Sequence, residues 1–302
     1  MLFDITIPGI DVLNNVFFAE KQVTVSMLRL DLIHPEVSGN KLFKLHYFLK
    51  EALSSKHKTI LSFGGAYSNH LAATAFACKS LTLKSIGIVR GEKPTQLSPT
   101  LLQCIDEGMQ LKFISRQEYA GKENADFIRS LQNEFGEYIL IPEGGYHPTG
   151  AAGASLIMEL ICDKTFSHIC VATGTATTIA GLSAAAKPGQ TIIAVPVLKG
   201  MTDINERMQY LGCHTGMPRN LQILAGYHFG GYAKKTDVLI QFMNQCWLQY
   251  QIPLDFVYTA KMFFAITDCI AKNYFKKGSD ILCIHTGGLQ GNKSLPLYSL
   301  LY

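Results

Sequence analysis

The sequence predicts an α/β protein made of two parallel-sheet lobes with a cleft between them, and three observations carry that expectation. Short apolar runs alternate with helix-period segments from the middle of the chain to its end, the pattern of βαβ units with helices on both sheet faces. Four of those runs pass directly into Gly-rich turns, at Gly64-Gly65, Gly144-Gly145, Gly174 and Gly287-Gly288. The chain has 302 residues, of which 48% are hydrophobic, enough to bury a large core shared between two lobes.

In chain order, the first helix follows Lys41, because the apolar positions of residues 42–49 fit a helical period. Strands are expected at 59–63, 84–89, 111–114, 138–141, 168–172, 191–197, 222–225 and 280–285, where apolar residues run together between turn residues. Amphipathic stretches at 69–78, 99–107, 124–135, 153–162, 178–186, 237–249 and 263–276 supply the helices between them. No flexible linker, repeat or low-complexity segment stands out, so lobe boundaries fall near residues 45 and 150. The crossing Tyr146-His147-Pro148-Thr149-Gly150 has the turn chemistry of a hinge. In open α/β sheets ligands bind outside the carboxyl ends of strands, so the four Gly-rich turns are expected to converge on one cleft.

Composition narrows the function. The net charge of +4 comes from 27 basic and 23 acidic residues spread along the chain, without the dense Lys/Arg clusters that a nucleic-acid partner requires. No run approaches the ~20 apolar residues that span a bilayer, and the first residues lack a basic-then-apolar leader, so a cytoplasmic protein without a membrane partner is expected. The eight cysteines make no CxxC pair and lie in apolar periodic stretches, which reads as buried reduced thiols. The nine histidines show no HxH or HxxxH spacing, so no metal site is expected.

The chemistry concentrates on one amine and several anion cradles. Lys41 stands in the turn Ser38-Gly39-Asn40-Lys41 at the start of a helix, where the dipole opposes its charge and favours the free, nucleophilic amine. Lys44 lies one turn on and reaches the same anion site, unless it is an ordinary exposed lysine. Ser68 and Asn69 sit where Gly64-Gly65 passes into a helix, which suits either a carboxylate or phosphate site or a simple serine N-cap. The loop Gly174-Thr175-Ala176-Thr177-Thr178 offers amides and three hydroxyls to a phosphate, but lacks the endings of a P-loop or a dinucleotide fingerprint. Tyr232 and Tyr258 lie beside turn residues and are candidates to orient a substrate or move a proton. An amine, a phosphate cradle and a carboxylate site are the parts that a phosphorylated aldehyde cofactor needs.

Six motifs in order, Gly-Asn-Lys41-x-x-Lys44-Leu, Gly-Gly-x-x-Ser68-Asn69-His, Glu143-Gly-Gly, Gly-Thr-x-Thr-Thr178-Ala-Gly, Val-Tyr258-Thr-x-Lys and His-Thr286-Gly-Gly, give the chain a resemblance over nearly its whole length. It resembles the 1-aminocyclopropane-1-carboxylate deaminase and D-cysteine desulfhydrase family, enzymes that use pyridoxal 5′-phosphate (PLP) on the tryptophan synthase β-like fold, called fold type II. The resemblance implies that Lys41 carries PLP as a Schiff base, that Asn69 bonds the pyridine 3′-oxygen, and that Lys44, Gly174, Thr175, Ala176, Thr177, Thr178 and Thr286 bind cofactor. It implies that Ser68 contacts the substrate carboxylate and assists proton transfer, and that Tyr232 and Tyr258 line the substrate side. A smaller lobe of residues 45–150 would face a larger one formed by 1–44 and 151–302, in a homodimer that acts on a small amino acid.

Two departures bear on the reaction. Ring-opening deaminases of that family are expected to have Glu after the tyrosine matching Tyr258 and Leu after the histidine matching His285, where this chain has Thr259 and Thr286. A carboxylate facing the pyridine nitrogen would keep it protonated, and a threonine hydroxyl does not supply that charge. β-Elimination from D-cysteine to pyruvate, ammonia and sulfide is therefore the expected reaction, with Lys41 or Tyr258 taking the α-proton. Ring opening of the cyclopropane amino acid, and a non-catalytic PLP-binding protein, are the alternatives.

Overall fold

The structure, a computed structural model, describes residues 2–3, 5–34, 38–214 and 216–302. Ten strands are present among them: β1 (Ile10–Val12), β2 (Thr24–Arg29), β3 (Thr59–Gly64), β4 (Lys84–Arg90), β5 (Gln110–Ile114), β6 (Ile139–Ile141), β7 (His168–Thr173), β8 (Thr191–Pro196), β9 (Leu221–Ile223) and β10 (Asp280–His285). They form a six-stranded sheet in the order β1-β2-β10-β7-β8-β9 and a four-stranded sheet in the order β5-β4-β3-β6. Every pairing is parallel except the antiparallel β1–β2 edge. The expected α/β class with two parallel-rich sheets is thus the observed one.

Both sheets are covered on both faces, which explains why their strands are near-continuous apolar runs. In the larger sheet, Leu28, Ile169, Val171, Ile192 and Leu282 pack into one core, while Val25, Met27, Cys170, Ile193 and Cys283 point into another against the helices Asp237–Tyr250 and Thr259–Ala271. In the smaller sheet, Leu61, Phe63, Ile86 and Ile88 face one side and Val89, with Leu71 and Met109, the other.

Strands β1 and β2 were not expected. β2 is a central strand that buries Ser26 and Arg29 among apolar residues, and the buried arginine is compensated by Asp31 at 2.6 Å and Asp11 at 2.9 Å. The expected helix at 263–276 begins earlier and ends earlier, at Thr259–Ala271, and the stretch 153–162 divides into an α-helix Pro148–Ser155 and a 3-10 segment Leu156–Ile161. Pro148 starts that helix before the amphipathic period does. Short helices at Val16–Glu20, Arg116–Ala120 and Ile204–Tyr210 are further additions; the second carries a Ser115/Glu118 capping box. The thiols are also more varied than expected: Cys162 is exposed and Cys213 half-buried, while the other six are buried and all eight are free.

Three helices meet through glycines, and this contact sets the site. A Cβ on Gly153 of helix Pro148–Ser155 would lie 2.1 Å from the Phe43 carbonyl oxygen of helix Asn40–Ser54. A Cβ on Gly181 of helix Thr177–Ala185 would lie 2.4 Å from the Ala151 carbonyl oxygen. Backbone therefore touches backbone, and the three helix beginnings are held at fixed spacing. Alanine has the higher helix propensity by ~1 kcal/mol, but a methyl facing rigid backbone costs ~1–3 kcal/mol by overpacking. Gly181→Ala is expected to lower stability despite that propensity, read as a lower urea midpoint at unchanged slope; a higher midpoint would contradict the close contact.

Candidate functional site

The sequence brings three of its four Gly-rich turns to one cleft of about 630 Å³, lined among others by Lys41, Gly65, Ser68, Asn69, Glu143, Gly174, Tyr232 and Tyr258. Behind it lies a smaller cavity of about 50 Å³, lined by Asn40, Lys41, Lys44, Gly144, residues 172–178, Tyr258 and Thr286. Helix Asn40–Ser54 starts there because Gly39, at φ 81°, lies flat against the turn after β10, where a Cβ would come 1.9 Å from the Thr286 carbonyl oxygen. The Asn40 amide donates to that same oxygen at 3.1 Å, and Asn40 Nδ2 donates to Thr178 Oγ1 at 2.9 Å.

Lys41 Nζ donates to Asn40 Oδ1 at 2.7 Å and stands 5.8 Å from the centroid of the Tyr258 ring. Burial lowers its pKa to about 8, against the opposing pull of Asp255. Lys44 is buried, donates to the Gly144 carbonyl at 3.2 Å, and is held well below the usual lysine range by burial and by the Lys41 charge. Neither amine forms an ion pair among the described residues. A half-buried and a buried amine one turn apart, neither in an ion pair among the described residues, form a site suited to an anion.

The loop before helix Thr177–Ala185 completes the small cavity. Ala176 is left-handed at φ 66°, an unusual state for alanine, and starts a helix with no side-chain cap. Its hydroxyls are already ordered: Thr175 and Thr177 share a hydrogen bond at 2.9 Å, and Thr178 accepts from Asn40. The expected set Gly174, Thr175, Ala176, Thr177, Thr178 and Thr286 therefore gathers around the two lysines.

Ser68 does serve as an N-cap, accepting from the Leu71 amide at 3.2 Å, and it lines the large cleft as well. Asn69 Nδ2 donates to the Gly288 carbonyl at 2.8 Å, tying the turn after β3 to the turn after β10, and its Oδ1 is buried without a partner. One Asn69 N–H is thus committed within the fold, which leaves the other and the oxygen free for a ligand.

Several residues escaped the sequence reading. Ser62 Oγ donates to the Ile141 carbonyl at 2.7 Å, so at 2.9 Å it accepts from His70 Nε2–H. His70 is then a neutral ring whose buried Nδ1 lone pair has no partner, and burial with the Lys41 and Lys44 charges lowers its pKa to about 3. Asp255 is fully buried and accepts from the Val257, Tyr258 and Thr259 amides and from the Thr259 hydroxyl, at 2.7–2.9 Å. That network corrects one expectation: Thr259 turns its hydroxyl onto Asp255 and lines neither the cleft nor the small cavity, whereas Thr286 lines the latter. The pattern Asp255-x-x-x-Thr259 before a helix was the available signal.

Tyr232 meets Tyr258 edge to face at 6.1 Å, and both phenols are pushed up, Tyr258 well above the usual range, chiefly by burial. At the cleft mouth Lys122 pairs with Glu143 at 3.5 Å and Arg207 with Asp203 at 2.7 Å. Arg90, at the end of β4, instead lies over the Tyr119 ring at 5.6 Å and forms no ion pair among the described residues. Tyr146 lines the cleft, whereas the His147 ring caps helix Pro148–Ser155.

Comparison with known proteins agrees with this arrangement. The family described as "Pyridoxal-phosphate dependent enzyme" matches residues 17–287. The "Bifunctional D-cysteine desulfhydrase/1-aminocyclopropane-1-carboxylate deaminase, mitochondrial" of Arabidopsis thaliana is 31% identical over 87% of this chain and 72% of its own. A Pyrococcus horikoshii protein provisionally named 1-aminocyclopropane-1-carboxylate deaminase is 31% identical over 88% of this chain and 85% of its own. The crystal structure of an "ACC deaminase homologue" superposes with a TM-score of 0.81 at 28% identity, covering 94% of this chain and 90% of that one. Threonine deaminase isoform 2 from Solanum lycopersicum, at 14% identity and a TM-score of 0.70 over 94% of this chain and 80% of that one, shares the fold.

The Lys41 environment has a direct readout. Because its pKa is lowered to about 8, the fraction of free amine rises through pH 8 and is complete well before that of a solvated lysine, near pH 10.4. Reductive methylation of Lys41 in the cofactor-free protein, followed by peptide mass spectrometry, is expected to show that midpoint; labelling that still climbs between pH 9 and 10 would contradict it.

Proposed function

The chain belongs to the pyridoxal-phosphate-dependent enzyme family, and from that premise we propose that it eliminates the β-substituent of a small D-amino acid, D-cysteine foremost, releasing pyruvate, ammonia and sulfide. The carrying observation is the pair of amines, half-buried Lys41 and buried Lys44, that form no ion pair among the described residues and face the 174–178 loop. That set fits pyridoxal phosphate: Lys44 and the loop amides suit the phosphate, Lys41 the aldehyde, and the free N–H of Asn69 the ring oxygen. Bound there, the cofactor supplies an electron sink for the α-carbon of an amino acid.

The chain's own groups divide the remaining work. The amides that open helix Asn69–Ser80 and the Ser68 hydroxyl face the cleft and hold the substrate carboxylate, with the unpaired guanidinium of Arg90 close by. Lys41 is the proton acceptor in this reading and Tyr258 the donor. At neutral pH a lysine lowered to about 8 has an accessible free amine, while a phenol held well above its usual range keeps its proton. Tyr232 positions the substrate from the same side.

Elimination is favoured over ring opening by the acid groups. Asp255 has its two oxygens occupied by four donors, and Thr286 contributes only a hydroxyl to the cofactor cavity. Neither offers a carboxylate to hold the pyridine nitrogen protonated. The division into a lobe of 45–150 and a lobe of 1–44 with 151–302 is part of the proposal, supported by the membership of the two sheets.

The near-visible absorbance of the purified protein, before and after D-cysteine, with pyruvate followed in the same cuvette, tests the reading. A band that changes with release of pyruvate supports it; a band that persists without product turns attention to the cyclopropane amino acid. Lys41→Ala is expected to lose the band and to lower turnover by more than about a thousandfold, and a yellow, active variant would sink the assignment. Tyr258→Phe is expected to keep the band and lose about a hundredfold in kcat. Thr259→Glu would set a second carboxylate against Asp255 and is expected to destabilise the fold. Thr286→Leu leaves that network intact, and its activity ratio between the cyclopropane amino acid and D-cysteine is expected to rise; an unchanged ratio would remove Thr286 from the specificity argument.

A further inference from the structure

Lys261 has no part in the chemistry above, yet it is completely buried on the first turn of helix Thr259–Ala271. Burying an ammonium is unfavourable unless specific partners hold it, and an apolar side chain of similar length would pack there at less cost. Its Nζ donates to the Gly231 carbonyl at 2.7 Å, and the one carboxylate that acts on its charge is Asp255, the group that also fixes the Tyr258 backbone.

Gly231 belongs to an uncommon turn. Phe229, Gly230, Gly231 and Ala233 all have positive φ, at 49°, 95°, 120° and 52°, so four of five consecutive residues occupy a region that L side chains rarely adopt. The fifth is Tyr232, whose ring meets that of Tyr258 in the cleft. Its internal bonds are the Gly231 amide to the His228 carbonyl at 3.0 Å, the Gly230 amide to His228 Nδ1 at 3.1 Å, and the Lys234 amide to the Gly231 carbonyl at 3.1 Å. Strain of this kind persists only where surroundings over-determine it. The surroundings here are Lys261 on the Gly231 oxygen and Phe264, from the same helix, against the Phe229 ring at 5.0 Å.

We propose that Lys261 is a positioning residue: its buried ammonium holds the 229–233 turn in its left-handed form and thereby places Tyr232 against Tyr258 on the substrate side of the cleft. One stretch of chain then carries both controls: Asp255, just ahead of helix Thr259–Ala271, sets Tyr258, and Lys261, on the first turn of that helix, sets Tyr232. The consequence for catalysis rests on the elimination reading; the consequence for the turn does not.

Two measurements separate those dependencies. Lys234 and Lys235 are exposed just beyond the turn, so trypsin reports its order in the cofactor-free protein. Lys261→Met is expected to speed cleavage there by about tenfold or more, since local opening governs proteolysis. In the holoenzyme the same variant is expected to keep its near-visible band while kcat/KM falls by about tenfold to a hundredfold, the scale of a small misplacement. In a cycle with Tyr232→Phe the double variant is expected to lose little more than the worse single one, because both act through the same phenol. Losses that multiply, or cleavage and turnover both unchanged in Lys261→Met, would overturn the proposal. Should Lys261→Met not fold, Gly231→Ala strains the same turn with Lys261 in place, at φ 120° and 3.3 Å from Lys199 Cβ. It is expected to reproduce both effects, and wild-type cleavage and kinetics in that variant would equally overturn the idea. Absence of turnover by the wild type would count against the elimination reading alone, with the trypsin rates still deciding the role of Lys261.

Discussion

The arrangement depends on two lysines one helical turn apart, Lys41 half-buried and Lys44 buried, neither in an ion pair among the described residues. Burial lowers the tendency of both amines to hold a proton, and the Lys41 charge lowers that of Lys44 further. Left to themselves, such groups destabilise a fold, so they persist where an anion is meant to sit between them and the opposing amides. Everything around them works to keep that spacing. Gly39 presses helix Asn40–Ser54 onto the turn after β10, and Gly153 and Gly181 bring two more helices to backbone contact with it or its neighbour. The phosphate-type loop, the lysines and the β10 turn are therefore one rigid unit, which is what a site needs to bind an anion without reordering.

The same compactness sets the division of labour between acids and bases. In water a lysine is a weaker acid than a tyrosine by only a fraction of a unit. Inside this cleft burial moves the two in opposite directions, lowering Lys41 to about 8 and raising Tyr258 well above its usual range. The order of proton affinity is inverted, which is the basis of the proposed roles of the amine as acceptor and the phenol as donor. His70, often the first candidate for such work, is removed from it: burial and the Lys41 and Lys44 charges lower its pKa to about 3, so it is neutral at neutral pH, bonded to Ser62.

How much of this could be read in the sequence follows from how local each feature is. The Lys41 turn, the Ser68 cap and the 174–178 loop announce themselves because turn chemistry and helix starts are written within a few residues. Eight of the ten strands were legible as apolar runs between turn residues, four of them running into Gly-rich turns. β2 was not, since a buried arginine looks like a surface residue until Asp11 and Asp31 are known to meet it. His70 depends on Ser62 and on Ile141, 79 residues beyond Ser62. Lys261 depends on a carbonyl 30 residues away. Arg90 is an ordinary strand-end residue until the cleft forms around it.

Thr259 shows where motif reading fails for a physical reason. Its position beside Tyr258 made it a candidate to face a ring nitrogen, but a helix that begins at that residue needs an acceptor for its first amides. Asp255 supplies it, and a buried carboxylate draws every donor in reach, the Thr259 hydroxyl included. Capping thus competes with function for the same side chain, and capping wins because an unsatisfied buried carboxylate costs more than a lost ligand contact. What the cleft retains from that competition is the result of the cap: a Tyr258 backbone fixed by Asp255.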